Sequence, residues 1–379
     1  MIDDILASFP PSTAATMGQR RQAAVWRGEE PDSLPILIGG AAPDSERFPR
    51  YSLGEQYRDP NKMLVGQLLG ALNIAWGHSD AVPSFRVNFG CAFLATLIGL
   101  EQRVFEEQMP WLVEHCPKEQ LARLSPDQVT QMAREGGLMP ECLARYALFR
   151  EAVGDRVACY IADTQGPFDL AHLLRGEELF YDLYDDPEFV HHLMRLATRL
   201  YIEGTRLMKE ALGEPANAGH HSGMLRMENG GVRLCADTDT LLSRAQWREF
   251  SLPYLREALA AFGGGWVHFC GSGHQWLDDL IAVPEVRGIN CGNPERYDPA
   301  EVLGKLVAQG KFYFGGFPQR PDESLEEYFR RQLGALGGRR RGLIFLPCGN
   351  GSPEWQEPER VVERWRAVQD QMLAPAGTA

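Results

Sequence analysis

Gly265-Trp266-Val267-His268-Phe269-Cys270 is a short apolar run that carries a histidine and a cysteine and is closed by Gly271. Read as a β-strand, it sends successive side chains to opposite faces, so His268 and Cys270 project from the same one. Further β-prone runs lie around it at 232–236, 287–291, 311–314 and 343–346, and each gap between them holds a helical pattern. Ser243 and Gln246 have capping-box spacing before a run to Phe262, and Asp298-Pro299 with Glu301 repeats the device before Gly310. Strands and helices in alternation predict right-handed βαβ units and a parallel sheet.

Three more β-prone runs stand upstream, at 34–38, 82–88 and 157–162. Long helical patterns separate them, including Ser125-Pro126 with Gln128 before Gly136-Gly137, and Asp186-Pro187 through Leu212 with Gly213 at the end. Eight strands, with no G-x-G-x-x-G after any of them, favour a closed (β/α)8 TIM barrel over an open doubly wound sheet. The expected fold class is therefore α/β, a single TIM-barrel domain over residues 1–379 with N-terminal helical additions and an arm over about residues 1–30. No internal repeat, low-complexity tract or composition break marks a second domain.

Composition narrows the function classes. The 379 residues are 44% hydrophobic and 23% charged, an ordinary globular mixture able to bury a large core. A net charge of −13 argues against nucleic acid, and Arg339-Arg340-Arg341, the one basic cluster, reads as a solvated loop face. Met1-Ile-Asp-Asp-Ile-Leu6 lacks the basic and apolar regions of a signal peptide, and no apolar run is long enough for a membrane span. Eight cysteines without a small-scaffold pattern fit a reducing cytoplasm.

In a barrel of this kind the functional rim is the C-terminal end of the strands. His268, Cys270 and Cys348 fall there, and so do Asp163, Gln165, Asp237, Cys291 and Asn293. The chain has no C-x2-C pair of the sort that announces a structural zinc site, whereas three ligands with an open position are what catalytic zinc commonly uses. The competing reading is that these cysteines are small core residues. Asp237 is expected to contact substrate or support the ligands, with helix capping as the alternative; Asp163 and Gln165 join it as catalytic candidates. His220-His221 are either solvated loop residues or contacts to substrate or a second metal, and His274 lies near a helix start. Trp266, Phe269 and Trp276 read as barrel packing.

Three segments together resemble the uroporphyrinogen decarboxylase superfamily: Ile161-Ala-Asp-Thr-Gln-Gly-Pro-Phe-Asp169, Asp237 through Phe250-Ser-Leu-Pro-Tyr254, and Val267-His-Phe-Cys-Gly271. The resemblance implies a (β/α)8 barrel and two branches of chemistry. One is cofactor-free decarboxylation; the other is zinc-dependent transfer of a methyl group from a corrinoid to a thiol. H-x-C with a distant cysteine marks the zinc branch, which implies His268, Cys270 and Cys348 as the metal ligands. Cys291 or Glu295 would supply the acidic or fourth ligand of the resting site. The decarboxylases carry an arginine-rich R-Q-A-G-R segment after their first strand, where this chain has Ile36-Leu-Ile-Gly-Gly-Ala-Ala-Pro43. Asp80 resembles their essential aspartate but reads equally as a loop or capping carboxylate. The expected function is thus a zinc-dependent methyltransferase acting on a small-molecule thiol, with decarboxylase and non-enzymatic corrinoid or tetrapyrrole binder as alternatives. No D-x-H-x-x-G is present, so a corrinoid would arrive on a partner protein. A second copy of the chain in a homodimer completes the expected partners.

Overall fold

All but one of the β-prone runs form paired strands in the computed structural model, which describes residues 1–373. In chain order the strands are Ser84–Arg86 (β1), Gln102–Arg103 (β2), Trp111–Leu112 (β3), Ala158–Tyr160 (β4), Gly219–His221 (β5), Leu225–Met227 (β6), Val232–Cys235 (β7), Gly265–Phe269 (β8), Val286–Cys291 (β9), Phe312–Gly315 (β10) and Leu343–Phe345 (β11). Five of them form one sheet in the order β11-β10-β9-β8-β7, and β1 pairs with β4; every pairing in these two sheets is parallel. The register sets His268 opposite both Cys235 of β7 and Asn290 of β9.

The expected closed barrel is met in its coarser form, a mixed α/β fold built on parallel sheet. Among the described residues no continuous ladder closes the set. Ile36 reaches Phe345 of β11 only as an isolated parallel bridge. The sequence accounts for that brevity: Pro35 has no N–H, and the N–H groups of Ile36 and Ile38 go to the Asp80 carboxylate and the Ser79 hydroxyl. Single backbone bonds span the remaining gaps, from Asp80 N to the Ile36 carbonyl (2.9 Å) and from Cys235 N to the Gln165 carbonyl (3.3 Å).

The helix punctuation behaves as its chemistry requires. Ser125 opens the helix Pro126–Glu135 with a full capping box, and Gly213 ends the helix Pro187–Leu212 in the left-handed region at φ 70°. Ser125→Ala is therefore expected to lower stability by about 1 kcal/mol, read as a drop in the urea midpoint. One helix departs from expectation. The box at Ser243 opens only Arg244–Gln246, after which the chain makes a π-helical turn over Trp247–Ser251 before the helix Leu252–Ala260. Pro253 lies just past that turn and cannot donate the next helical bond. The turn stacks Trp247 on Trp276, with ring centroids 5.3 Å apart.

The N-terminal helices Ile2–Ala7 (α1) and Thr13–Trp26 (α2) precede the first strand. α2 and the antiparallel hairpin β5–β6 cover the N-terminal ends of the strands. Gln22 holds the hairpin through Arg226 N (2.7 Å) and the Met224 carbonyl (3.2 Å), and Trp26 packs edge-on against Phe312 at the start of β10. Arg21 fixes the helix with bonds to Asp32 (2.9 and 2.6 Å) and to buried Asp80 (2.6 Å). The basic cluster is not a solvated face: Arg340 is 6% exposed and pairs with Asp370, while Arg339 pairs with Glu30. The arm and the final helix, Pro358–Met372, fold onto that loop and supply the acids. Among the described residues no helix is long and apolar enough to cross a membrane.

Candidate metal centre

Alternation along β8 turns Trp266, His268 and Cys270 to one face and leaves Val267 and Phe269 on the other, where Phe269 packs on Trp276. His268 Nδ1 lies 2.5 Å from Asn290 Oδ1, and Asn290 Nδ2 donates to the Phe314 carbonyl at 2.5 Å. That second bond fixes which end of the amide faces the ring. An amide oxygen only accepts, so Nδ1 carries the proton and Nε2 presents its lone pair. Burial, followed by the nearby Arg233, pushes the imidazole pKa below its ordinary value and keeps the ring neutral.

The lone pair of Nε2 points into a group of donors. Cys270 Sγ is 3.3 Å from it and Asp237 Oδ1 is 3.7 Å from it. The ligand atoms of Cys235, Asp237 and His268 all lie within 4.8 Å of one another. Asp237 accepts from Cys270 N at 2.5 Å, while its own N–H and that of Thr238 donate to the buried Asp169 carboxylate (3.2 and 2.7 Å). Asp237 makes no side-chain cap on the short helix that follows it; its carboxylate faces Cys270 N and His268 instead. Burial and then Asp237 push the Cys270 thiol up to about 11, so it stays protonated unless a cation stands beside it.

These residues fit a tetrahedral zinc ion. Zn–N and Zn–O near 2.0 Å and Zn–S near 2.3 Å place tetrahedral N/S donors about 3.5 Å apart and N/O donors about 3.3 Å apart, and the observed 3.3 Å (N to S) and 3.7 Å (N to O) each lie within about 0.4 Å of those values. Gly292 keeps the approach clear, since a Cβ there would lie 2.5 Å from Cys270 Sγ and 3.1 Å from His268 Cε1.

The other candidates separate by position. Cys348 is exposed at the end of the β11 segment, its N–H donating to Tyr328 Oη (3.0 Å) and its carbonyl accepting from Gln319 N (2.8 Å). Among the described residues it joins no group of three close donors. Cys291 is buried on the face of β9 opposite Asn290, with its thiol pushed up to about 12 by burial. Glu295 is solvent-facing and accepts from Asn293 Nδ2 (2.9 Å), and Asn293 Oδ1 accepts from Gly271 N (2.7 Å). His274 Nε2 bonds the Arg296 carbonyl (3.1 Å) on the outer rim.

Asp163 and Gln165 form the turn after β4. Gln165 adopts φ 58°, and both its N–H (3.2 Å) and its side-chain amide (2.9 Å) donate to Asp163 Oδ1. The next residue must be glycine, because a Cβ on Gly166 would lie 2.0 Å from the Cys235 carbonyl oxygen. The histidine pair is not a solvated loop. His220 is held by Glu214 (3.3 Å), and His221 packs between Tyr160 and Trp266 at centroid distances of 5.6 and 5.4 Å. Sequence reasoning missed Cys235, Asn290, Arg86 and Arg233. The signal was present in Val232-Arg-Leu-Cys235, where Arg233 and Cys235 have the same i, i+2 spacing as His268 and Cys270.

Parallel sheet carrying a His/Cys/Asp donor group at its strand ends defines a class of α/β proteins with a site suited to a metal. Residues 17–215, more than half of the chain, match the family described as Uroporphyrinogen decarboxylase (URO-D), and the chain belongs to that family. A solved structure titled methyltransferase from Methanosarcina mazei shares the fold, with a TM-score of 0.63 at 16% identity, covering 93% of this chain and 98% of that one. No curated protein matches the chain.

Proposed function

We propose that this protein is a zinc-dependent methyltransferase of the URO-D family, a (β/α)8 barrel that passes a methyl group from a corrinoid, or another methyl donor, to a thiol. The observation that carries this reading is the tautomer lock on His268. Asn290 Oδ1 accepts a hydrogen bond from Nδ1–H, which aims the Nε2 lone pair at Cys270 and Asp237. His268, Cys270 and Cys348 are the proposed ligands, and Asp237 is the acidic donor beside them. Zinc held there would supply Lewis acidity, lowering the pKa of a thiol so that it reacts as thiolate at neutral pH.

The chain's own residues do the rest. Asp169 orients the turn that carries Asp237, Gly292 leaves room for an incoming group, and Trp266 walls the interior below the donors. The corrinoid, when it is the donor, arrives on another protein. The decarboxylase alternative loses its best residue, because Asp80 is buried in an ion pair with Arg21 and also accepts from Ile36 N.

Metal analysis of the native protein tests the proposal, with one zinc per chain expected and none counting against it. Asn290→Ala is expected to lower zinc affinity 10- to 100-fold, as loss of an orienting partner does, measured by chelator competition.

A further inference from the structure

Beneath the donor group, two guanidinium groups from different strands converge on one carboxylate. Arg86 ends β1 and Arg233 lies in β7; their Nη1 atoms stand 3.3 Å from Asp163 Oδ2 and 3.4 Å from Oδ1. Charge-assisted bonds are ordinarily 2.7–2.9 Å, and Arg21 in this same protein reaches its two aspartates at 2.6–2.9 Å. Asp163 Oδ1 is already shared with two donors from Gln165. Arg233 Nε is buried without a partner, and the further contact of Arg86, to Asn88 Oδ1, is 3.5 Å long.

Among the described residues no second carboxylate bonds either guanidinium. His221 adds no negative charge and is itself held neutral by burial and by both arginines. Asp169 and Asp237, the other acids within reach of Arg233, are engaged by backbone N–H groups on the turn above. Two guanidinium groups therefore share one hydrogen-bonded carboxylate, with Asp169 and Asp237 adding only longer-range attraction to Arg233, where the side chains are only 12–19% exposed. Guanidinium N–H groups left without a good acceptor in such a place are costly, and a second carboxylate would satisfy them. The paired N–H forks of guanidinium suit that ligand.

We infer that Arg86 and Arg233 form a subsite for a carboxylate group of the substrate. Arg233 precedes Cys235 by two residues on the same strand face, and Cys235 is in register with His268, so the subsite and the donor group lie on one side of the sheet. A compact molecule anchored there by its carboxylate presents its far end to His268 and Cys270. On the methyl-transfer reading, on which this part rests, the acceptor is a small thiol with a carboxylate a few carbon atoms from sulfur.

Calorimetric titration of the full-length protein, zinc-loaded and after EDTA dialysis, with 3-mercaptopropionate, its methyl ester and propionate tests the inference. The free acid is expected to bind about tenfold more tightly than the ester in both preparations. Arg233→Gln and Arg86→Gln should each erase that preference, and Arg233→Lys should keep part of it. Equal binding of acid and ester by the wild-type protein, or no binding of either, overturns the inference, and this comparison needs no variant. Failure of the zinc reading looks different: the acid–ester preference persists, but 3-mercaptopropionate binds no better than propionate.

Discussion

Replacing His268 by alanine is expected to abolish retention of zinc and to slow methyl transfer by on the order of a thousandfold, since metal-ion stabilisation of a reacting group is worth several kcal/mol. The imidazole joins the two sides of the site: its Nδ1 is held by β9 through Asn290, and its Nε2 faces Cys270 and Asp237. Its loss leaves thiols that burial keeps protonated. The effect should be local, because the apolar packing of β8 is carried by Trp266, Val267 and Phe269, which the substitution leaves in place. Zinc stoichiometry, with circular dichroism as the folding control, checks this. The same assay on Cys348→Ala and Cys235→Ala decides between the two cysteines. Loss of zinc only in the first supports the proposed ligand set; loss only in the second moves the site onto Cys235, Asp237 and His268. Full zinc occupancy in His268→Ala would sink the metal centre altogether.

Asp80→Ala is expected to destabilise the protein by about 2–4 kcal/mol, because Ile36 N and one Arg21 N–H lose their buried acceptor while Arg21 keeps Asp32. Asp80 is 1% exposed; it accepts from Arg21 at 2.6 Å and from Ile36 N at 3.1 Å, so it ties α2 to the first strand segment. Asp80→Asn, which keeps an acceptor for Ile36 N, should cost less. Urea unfolding measures both, and zinc content should be unchanged in either. An Asp80→Ala protein of wild-type stability would show that the ion pair does not hold the helix, and one that lost only activity would return Asp80 to the chemistry.

Much of the fold was legible because its signals are local. Period-two apolar runs, Asp186-Pro187 with Gly213, and Ser125-Pro126 with Gln128 each encode a boundary in a few adjacent residues, and the helices begin and end there. The donor group was half legible. His268 and Cys270 stand out because their residue types are chemically unusual, whereas Asn290 and Arg233 gain meaning only from register across β7, β8 and β9, which no spacing within one strand reveals. His221 was hidden for a similar reason: paired histidines look solvated until the hairpin that carries them is seen to fold under the sheet. Arg340 was misread because its acidic partner, Asp370, lies in the last helix.

The stopper formed by α2 and the β5–β6 hairpin has a kinetic meaning. On the proposed function, covered N-terminal strand ends leave the opposite end as the approach to the donor group, so the smaller reactant is expected to bind before the bulkier donor and to leave after it. Initial-rate kinetics with both substrates varied checks this: an ordered pattern is the expected result, and a random one counts against it.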